Sequence, residues 1–91
     1  MQVIVKGSLY RDWKEIRNRK LSKILLQKIE EVESVESISQ ISHLKKLRIY
    51  KSRYRLEIKT GRKVYWVLCV ARKNKIELLR LKPESYFKKK L

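Results

Sequence analysis

The sequence predicts an α+β domain: an N-terminal strand, a helical hairpin, then a three-stranded antiparallel meander, with both helices packed on one face of the sheet. Three observations predict it. Apolar residues recur every three or four positions within Leu9–Ile16 and again within Leu21–Val32, the period of an amphipathic helix. From Tyr54 onward the period changes to two, the period of a half-buried strand. No Pro/Gly-rich linker and no internal repeat interrupts the chain, so residues 1–91 are expected to form a single domain.

Each element has its own signal. Gln2–Lys6 reads as a short strand closed by Gly7, and Ser8 as the N-cap of a helix, its hydroxyl accepting from first-turn amides. Leu9, Trp13 and Ile16 form the apolar stripe of that helix. Arg17-Asn18-Arg19-Lys20 permits a turn, after which Leu21, Ile24, Leu25, Ile29 and Val32 form the stripe of a second helix. Ser34–Ser42 loses the period and is serine-rich, as a loop would be. In the meander, Tyr54, Leu56 and Ile58 alternate with Arg55, Glu57 and Lys59. Thr60-Gly61 offers a hairpin turn, and Lys63–Val70 reads as a central strand, apolar on both faces. Arg72–Lys75 offers the next turn, and Ile76–Leu81 the last strand, ended by Pro83 because proline has no amide to donate. Tyr86-Phe87 and Lys88-Lys89-Lys90 read as a tail.

The charge is as informative as the pattern. There are 25 Lys+Arg against 9 Asp+Glu, a net charge of +16. Residues 1–44 hold eight basic and six acidic side chains, residues 45–91 seventeen and three. A domain polarised this strongly repels itself, so its partner is expected to be a polyanion: nucleic acid or ribosome, with an anionic membrane surface as the competitor. Cys69 is the only cysteine and His43 the only histidine, which excludes an internal disulfide, a cysteine metal cluster and a paired-histidine nuclease. No metal or other cofactor is expected. No apolar run approaches the roughly 18 residues needed to span a bilayer, and Met1–Lys6 is too short for a signal-peptide core. A cytosolic protein without membrane contact is expected.

Two helices cover only one face of such a sheet, so strand parity selects the residues of the other. With Tyr54, Leu56 and Ile58 facing the helices, Arg53, Arg55, Glu57 and Lys59 face away. With Val64, Trp66, Leu68 and Val70 inward, Lys63, Tyr65, Val67 and Cys69 lie outward. With Leu79 and Leu81 inward, Ile76, Leu78, Arg80 and Lys82 lie outward. The open face would then carry a basic end suited to phosphate and an apolar end of Val67, Ile76 and Leu78 suited to a protein partner.

The ordered set of segments resembles the RelE/ParE superfamily of toxins from type II toxin–antitoxin systems. The residues that carry the resemblance are Leu44-Lys45-Lys46-Leu47, Tyr54-Arg55-Leu56-Glu57-Ile58, the hairpin Gly61-Arg62-Lys63-Val64-Tyr65, and Tyr86 near the C-terminus. The resemblance covers essentially the whole chain and is closest in character to RelE-type mRNA interferases. It implies a metal-independent endoribonuclease that cuts mRNA on the ribosome and stops translation. It also implies an acidic cognate antitoxin, bound to a monomeric toxin within a hetero-oligomer. The family's basic pair falls on Arg53 and Arg55, or with one gap on Arg55 and Glu57. Its hairpin arginine falls on Arg62 or Lys63, its late-strand arginine on Arg80 or Lys82, and its tyrosine on Tyr86. The expected catalytic set is Arg55, Lys63, Arg80, Lys82 and Tyr86, with Arg53, Arg62, Lys45, Lys46 and Arg48 binding RNA.

The chemistry is coherent without the family. Cleavage of RNA by its own 2′-hydroxyl needs a base, an acid and cations for the charge that develops on phosphorus. Arginines supply the clamp, a lysine such as Lys63 or Lys82 the proton transfer, and Tyr86 a ring on which a base stacks. Two alternatives use the same residues: a ParE-like toxin acting on gyrase, and a non-catalytic RNA- or ribosome-binding module.

Overall fold

The structure, a computed structural model, describes residues 1–48 and 52–90. In chain order its elements are β1 (Gln2–Val5), α1 (Gly7–Ile16), α2 (Arg19–Ser34), β2 (Leu44–Lys46), β3 (Arg53–Thr60), β4 (Lys63–Arg72), β5 (Lys75–Pro83) and α3 (Glu84–Lys90). A 3-10 turn at Ile38–Gln40, closed by a Ser37/Gln40 capping box, follows α2. The strands form one sheet in the order β1-β5-β4-β3-β2, with β1 parallel to β5 and the other pairs antiparallel.

The α+β architecture is the expected one, with two additions. Leu44–Lys46, read from the sequence only as an approach to the meander, pairs with β3 as an edge strand. The expected tail is a helix, α3. At the N-terminus, Lys6 N–H still donates to Leu78 O (3.0 Å), so the chain turns directly into α1 with Lys6 as cap residue. Ser8 is therefore inside the helix, and its hydroxyl donates to Leu79 O (2.6 Å) instead of capping. Asn18 does cap α2, accepting from the Leu21 amide at 3.1 Å.

Leu9, Leu21, Leu25 and Val32 of the helices bury against Leu56, Ile58, Tyr65, Val67, Cys69, Ile76, Leu78 and Leu81 of the sheet. This list corrects five outward assignments, those of Tyr65, Val67, Cys69, Ile76 and Leu78. Val67, Ile76 and Leu78 are 0%, 0% and 2% exposed and face the helices, so none of them lies on an open surface. Two backbone features explain the reversal. The β3–β4 turn is the two-residue loop Gly61–Arg62, with Gly61 at φ 60°, and it pairs Thr60 with Lys63. Such a turn always sets an even-numbered residue against an odd-numbered one. Leu56 and Ile58 therefore share a face with Val67 and Tyr65, while Trp66 and Leu68 join Arg55 and Glu57 on the other. In β5 a bulge opposite Leu68/Cys69 makes Leu79 an extra residue, since Leu68 pairs with Arg80 and Cys69 with Leu78. The bulge resets parity, so Ile76 and Leu78 point inward and so does Leu81.

Candidate functional site

The face away from α1 and α2 is organised in rows set by strand register. One row runs Lys45–Arg55–Leu68–Arg80 across β2, β3, β4 and β5. The next runs Glu57–Trp66–Lys82 and a third Arg53–Val70–Glu77. With strands about 4.8 Å apart, Arg55 and Arg80 stand about 10 Å from each other across β4. The apolar residues of this face form a ridge along β4, Trp66, Leu68 and Val70, with the cations on both flanks.

Trp66 is the centre of the arrangement. The Arg55 guanidinium lies 4.0 Å from its ring centroid, a cation–π contact, and Arg55 also reaches Glu57 at 3.6 Å. Phe87 of α3 stacks on Trp66 with centroids 5.7 Å apart, and Leu47, Leu68 and Arg55 complete the surroundings. The third helix thus covers the middle of the face that the sequence left open. Glu84, at the start of α3, is ion-paired with Lys88 at 2.6 Å. The Lys88 contact chiefly holds its carboxyl below the usual range, with smaller help from Arg55 and Trp66.

On the other flank, Arg80 and Lys82 converge on Asp12 of α1. Arg80 Nε donates to Asp12 Oδ2 at 2.8 Å and Nη2 to Oδ1 at 3.2 Å, while Lys82 Nζ lies 3.3 Å from Oδ1. The Leu81 amide donates to Oδ2 at 2.9 Å. Burial raises the Asp12 carboxyl, but the Arg80 and Leu81 hydrogen bonds, with the Arg80 charge and the Lys82 contact, outweigh it and hold the group below its ordinary value. Asp12 in turn holds the Arg80 guanidinium above its own. Lys82 Nζ also sits 5.3 Å from the centroid of the half-exposed Tyr86 ring, which meets Phe87 edge-on. Asp12, Arg80 and Lys82, together with Ser8, Arg11 and Glu15, line a cleft of about 310 Å³.

Of the expected catalytic residues, Arg55, Arg80, Lys82 and Tyr86 are brought to this one face. Lys63 is not: it has the parity of Tyr65 and lies exposed at the hairpin end. There it lines a separate cleft of about 440 Å³ with Arg62, Pro83, Glu84 and Ser85. Of the expected RNA-binding cations, Lys45 shares the Arg55 row and Arg53 the adjoining one, whereas Lys46 pairs with Tyr54 on the helix side. Arg48 is exposed just beyond β2. Two residues of the site escaped sequence reasoning. Trp66 was assigned to the core. Asp12 carried a signal that went unread, a carboxylate within the Leu9–Trp13–Ile16 stripe, where a charge needs a buried partner.

Among the described residues, no three His, Cys, Asp or Glu side chains gather closely enough to hold a metal ion, and no helix is long and apolar enough to cross a membrane. No family model and no curated protein matches the chain. Among solved structures, a chain of the RelB–RelE antitoxin–toxin complex from Methanococcus jannaschii superposes with a TM-score of 0.75. The sequences are 19% identical, and the alignment covers 97% of this chain and 98% of that one. At that identity the likeness speaks for architecture, and it does so over the aligned 97% of the chain: this chain has a RelE-like fold.

Proposed function

We propose that this chain is the toxin of a type II toxin–antitoxin pair, a cytoplasmic endoribonuclease that cuts mRNA on the ribosome. The observation that carries the reading is the gathering of Arg55, Arg80, Lys82 and Tyr86 around Trp66 on one face of a RelE-like fold. In the reaction, a ribose 2′-hydroxyl attacks the adjacent phosphorus and the 5′-oxygen leaves, giving a cyclic phosphate and a 5′-hydroxyl. The proton lost by the first oxygen equals the one gained by the second. Arg55 and Arg80 approach the phosphate from two sides and compensate the charge that grows on it. Lys82 stands beside them as the proton-transfer group, and the exposed Tyr86 ring offers a base a stacking surface. Lys45 extends the cationic row outward along the RNA backbone. No metal of the protein's own takes part in this scheme. The solved neighbour is a toxin in complex with its antitoxin. By the same reading, an acidic antitoxin binds this chain as a monomer within a hetero-oligomer.

The test is addition of the purified protein to ribosomes programmed with a defined mRNA, with cuts located by primer extension. Codon-spaced cuts in the A site are expected. Stable association without cuts would leave a binding module, and gyrase inhibition without cuts the ParE-like alternative.

A further inference from the structure

Past Leu78, β5 has no strand on its outer side, because β1 ends at Val5. Side chains of α1 complete that edge. Ser8 donates to Leu79 O and Asp12 accepts from Leu81 N–H, a match of spacing: one helical turn of four residues rises about 6 Å and two strand residues about 6.6 Å. A neutral side chain would suffice for this ladder, since Asn also offers an acceptor to the Leu81 amide. The charge of Asp12 is surplus to it. The carboxylate is only 5% exposed, yet it gathers two cations, Arg80 at 2.8 Å and Lys82 at 3.3 Å. The edge that it takes from Arg80 is the one formed by Nε and Nη2, which leaves Nη1 outside the contact on a side chain still 39% exposed. A carboxylate that masked the guanidinium would cover the outer end. One that aims it would hold the inner edge, as here.

We propose that Asp12 is a positioning residue that presets Arg80 and Lys82 as a pair for one phosphate, an inference that rests on the RNA-cleaving reading above. Its anchor on the Leu81 amide ties the pair to the strand, so the two cations do not have to be ordered when RNA arrives.

The experiment is a double-mutant cycle of Asp12→Asn and Arg80→Ala, read on cleavage of ribosome-bound mRNA and accompanied by thermal melts. Asp12→Asn is expected to fold, to lose about a hundredfold in kcat, as a displaced clamp does, and to change KM by less than about twofold. The double variant is expected to lose far less than the product of the two single losses, because Asp12 acts through Arg80. Losses that multiply in an active background would overturn the proposal, as would faster cleavage by Asp12→Asn, which would make Asp12 a mask. A second measurement uses the wild-type chain alone. The Arg80 Nε–H resonance is expected to be sharp in the free protein and to keep its position when an uncleavable 2′-deoxy oligonucleotide binds. A large shift on binding would mean that phosphate pulls Arg80 away from Asp12, and would sink the idea even if the variant did not fold. A wild type that neither binds nor cuts RNA removes the RNA reading itself, and the phosphate to be positioned with it.

Discussion

Phe87 lies nearly parallel to Trp66, with ring centroids 5.7 Å apart and planes inclined by 12°. Phe87 is 4% and Trp66 8% exposed, so this contact is the seat on which α3 rests against the second face of the sheet. Phe87→Ala is expected to release the helix and lower stability by about 3 kcal/mol, the low end for truncating a buried phenylalanine. Trp66 would meet water, giving a red-shifted emission when read in a Trp13→Phe background. Unchanged emission would mean that α3 is held by other contacts.

Arg55 and Lys63 separate the faces of the sheet. Arg55 lies over Trp66 beside the other cations, while Lys63 has the opposite parity at the hairpin end. Arg55→Ala and Arg80→Ala are each expected to slow cleavage about a hundredfold or more, as removal of one stabiliser of transition-state charge does. Lys63→Ala is expected to stay within a few-fold of wild type. A Lys63 variant as impaired as Arg55→Ala would move the chemistry to the hairpin cleft.

How far the sequence could be read follows from which residues alternate. Both helices were legible, because Leu9, Trp13, Leu21, Leu25 and Val32 repeat at helical spacing and bury as the period requires. Strand β3 was legible because Tyr54-Arg55-Leu56-Glu57-Ile58 alternates cleanly. Strand β4 has no such code. Val64–Val70 is apolar on both faces, since α1 and α2 cover one and α3 the other, and parity had to come from the turn. The two-residue loop at Gly61–Arg62 was the missing constraint. The bulge at Leu79 has no signature in an apolar stretch, so Ile76 and Leu78 were placed outward while Arg80 and Lys82 were placed correctly. For that reason four of the five expected catalytic residues share a face, while the expected apolar patch is in the core.

Acid unfolding reports on Asp12. Its folded-state pKa is held below the ordinary carboxylate value, so the unfolded chain takes up the proton first as pH falls. The stability that this group contributes is fully present above the ordinary value and is lost as pH drops through the depressed one. Melting temperatures followed from neutral pH downward are expected to fall less steeply in that window for Asp12→Asn than for wild type. Parallel curves would mean that other carboxylates, such as Glu77 beside Lys6, carry the acid dependence.

Salt separates phosphate binding from apolar docking. Neutralising about five phosphates of single-stranded RNA releases their condensed counterions, so log K is expected to fall with log salt at a slope of about −3.5. Titrations by fluorescence anisotropy over a fourfold range of salt suffice to measure it. Replacing Lys45 is expected to lower the slope by about 0.7, the share of one contact. A flat dependence would mean that the +16 charge does not engage the backbone.

The proposed antitoxin needs an apolar foothold; Val67, Ile76 and Leu78 are buried, and we propose the ridge of β4 in their place. Phe87 already covers the Trp66 end of that ridge. Val70 lies four residues further on, about 13 Å along the strand, half-buried between Arg53 and Glu77 in register. A partner segment laid along β4 could bury Val70 and bring acidic side chains toward Arg53 and Arg55. Ordering a flexible segment costs free energy, so tight binding requires both the apolar and the charged contacts. Val70→Glu is expected to fold, because its side chain reaches solvent, and to weaken a pull-down of the cognate acidic antitoxin about tenfold or more. Leu78→Glu differs in kind: at 2% exposure its carboxylate would be buried without a partner, and the chain is expected not to fold. Thermal melts of both variants distinguish lost docking from lost folding. Full binding by a folded Val70→Glu protein would place the partner on the helices α1 and α2 instead.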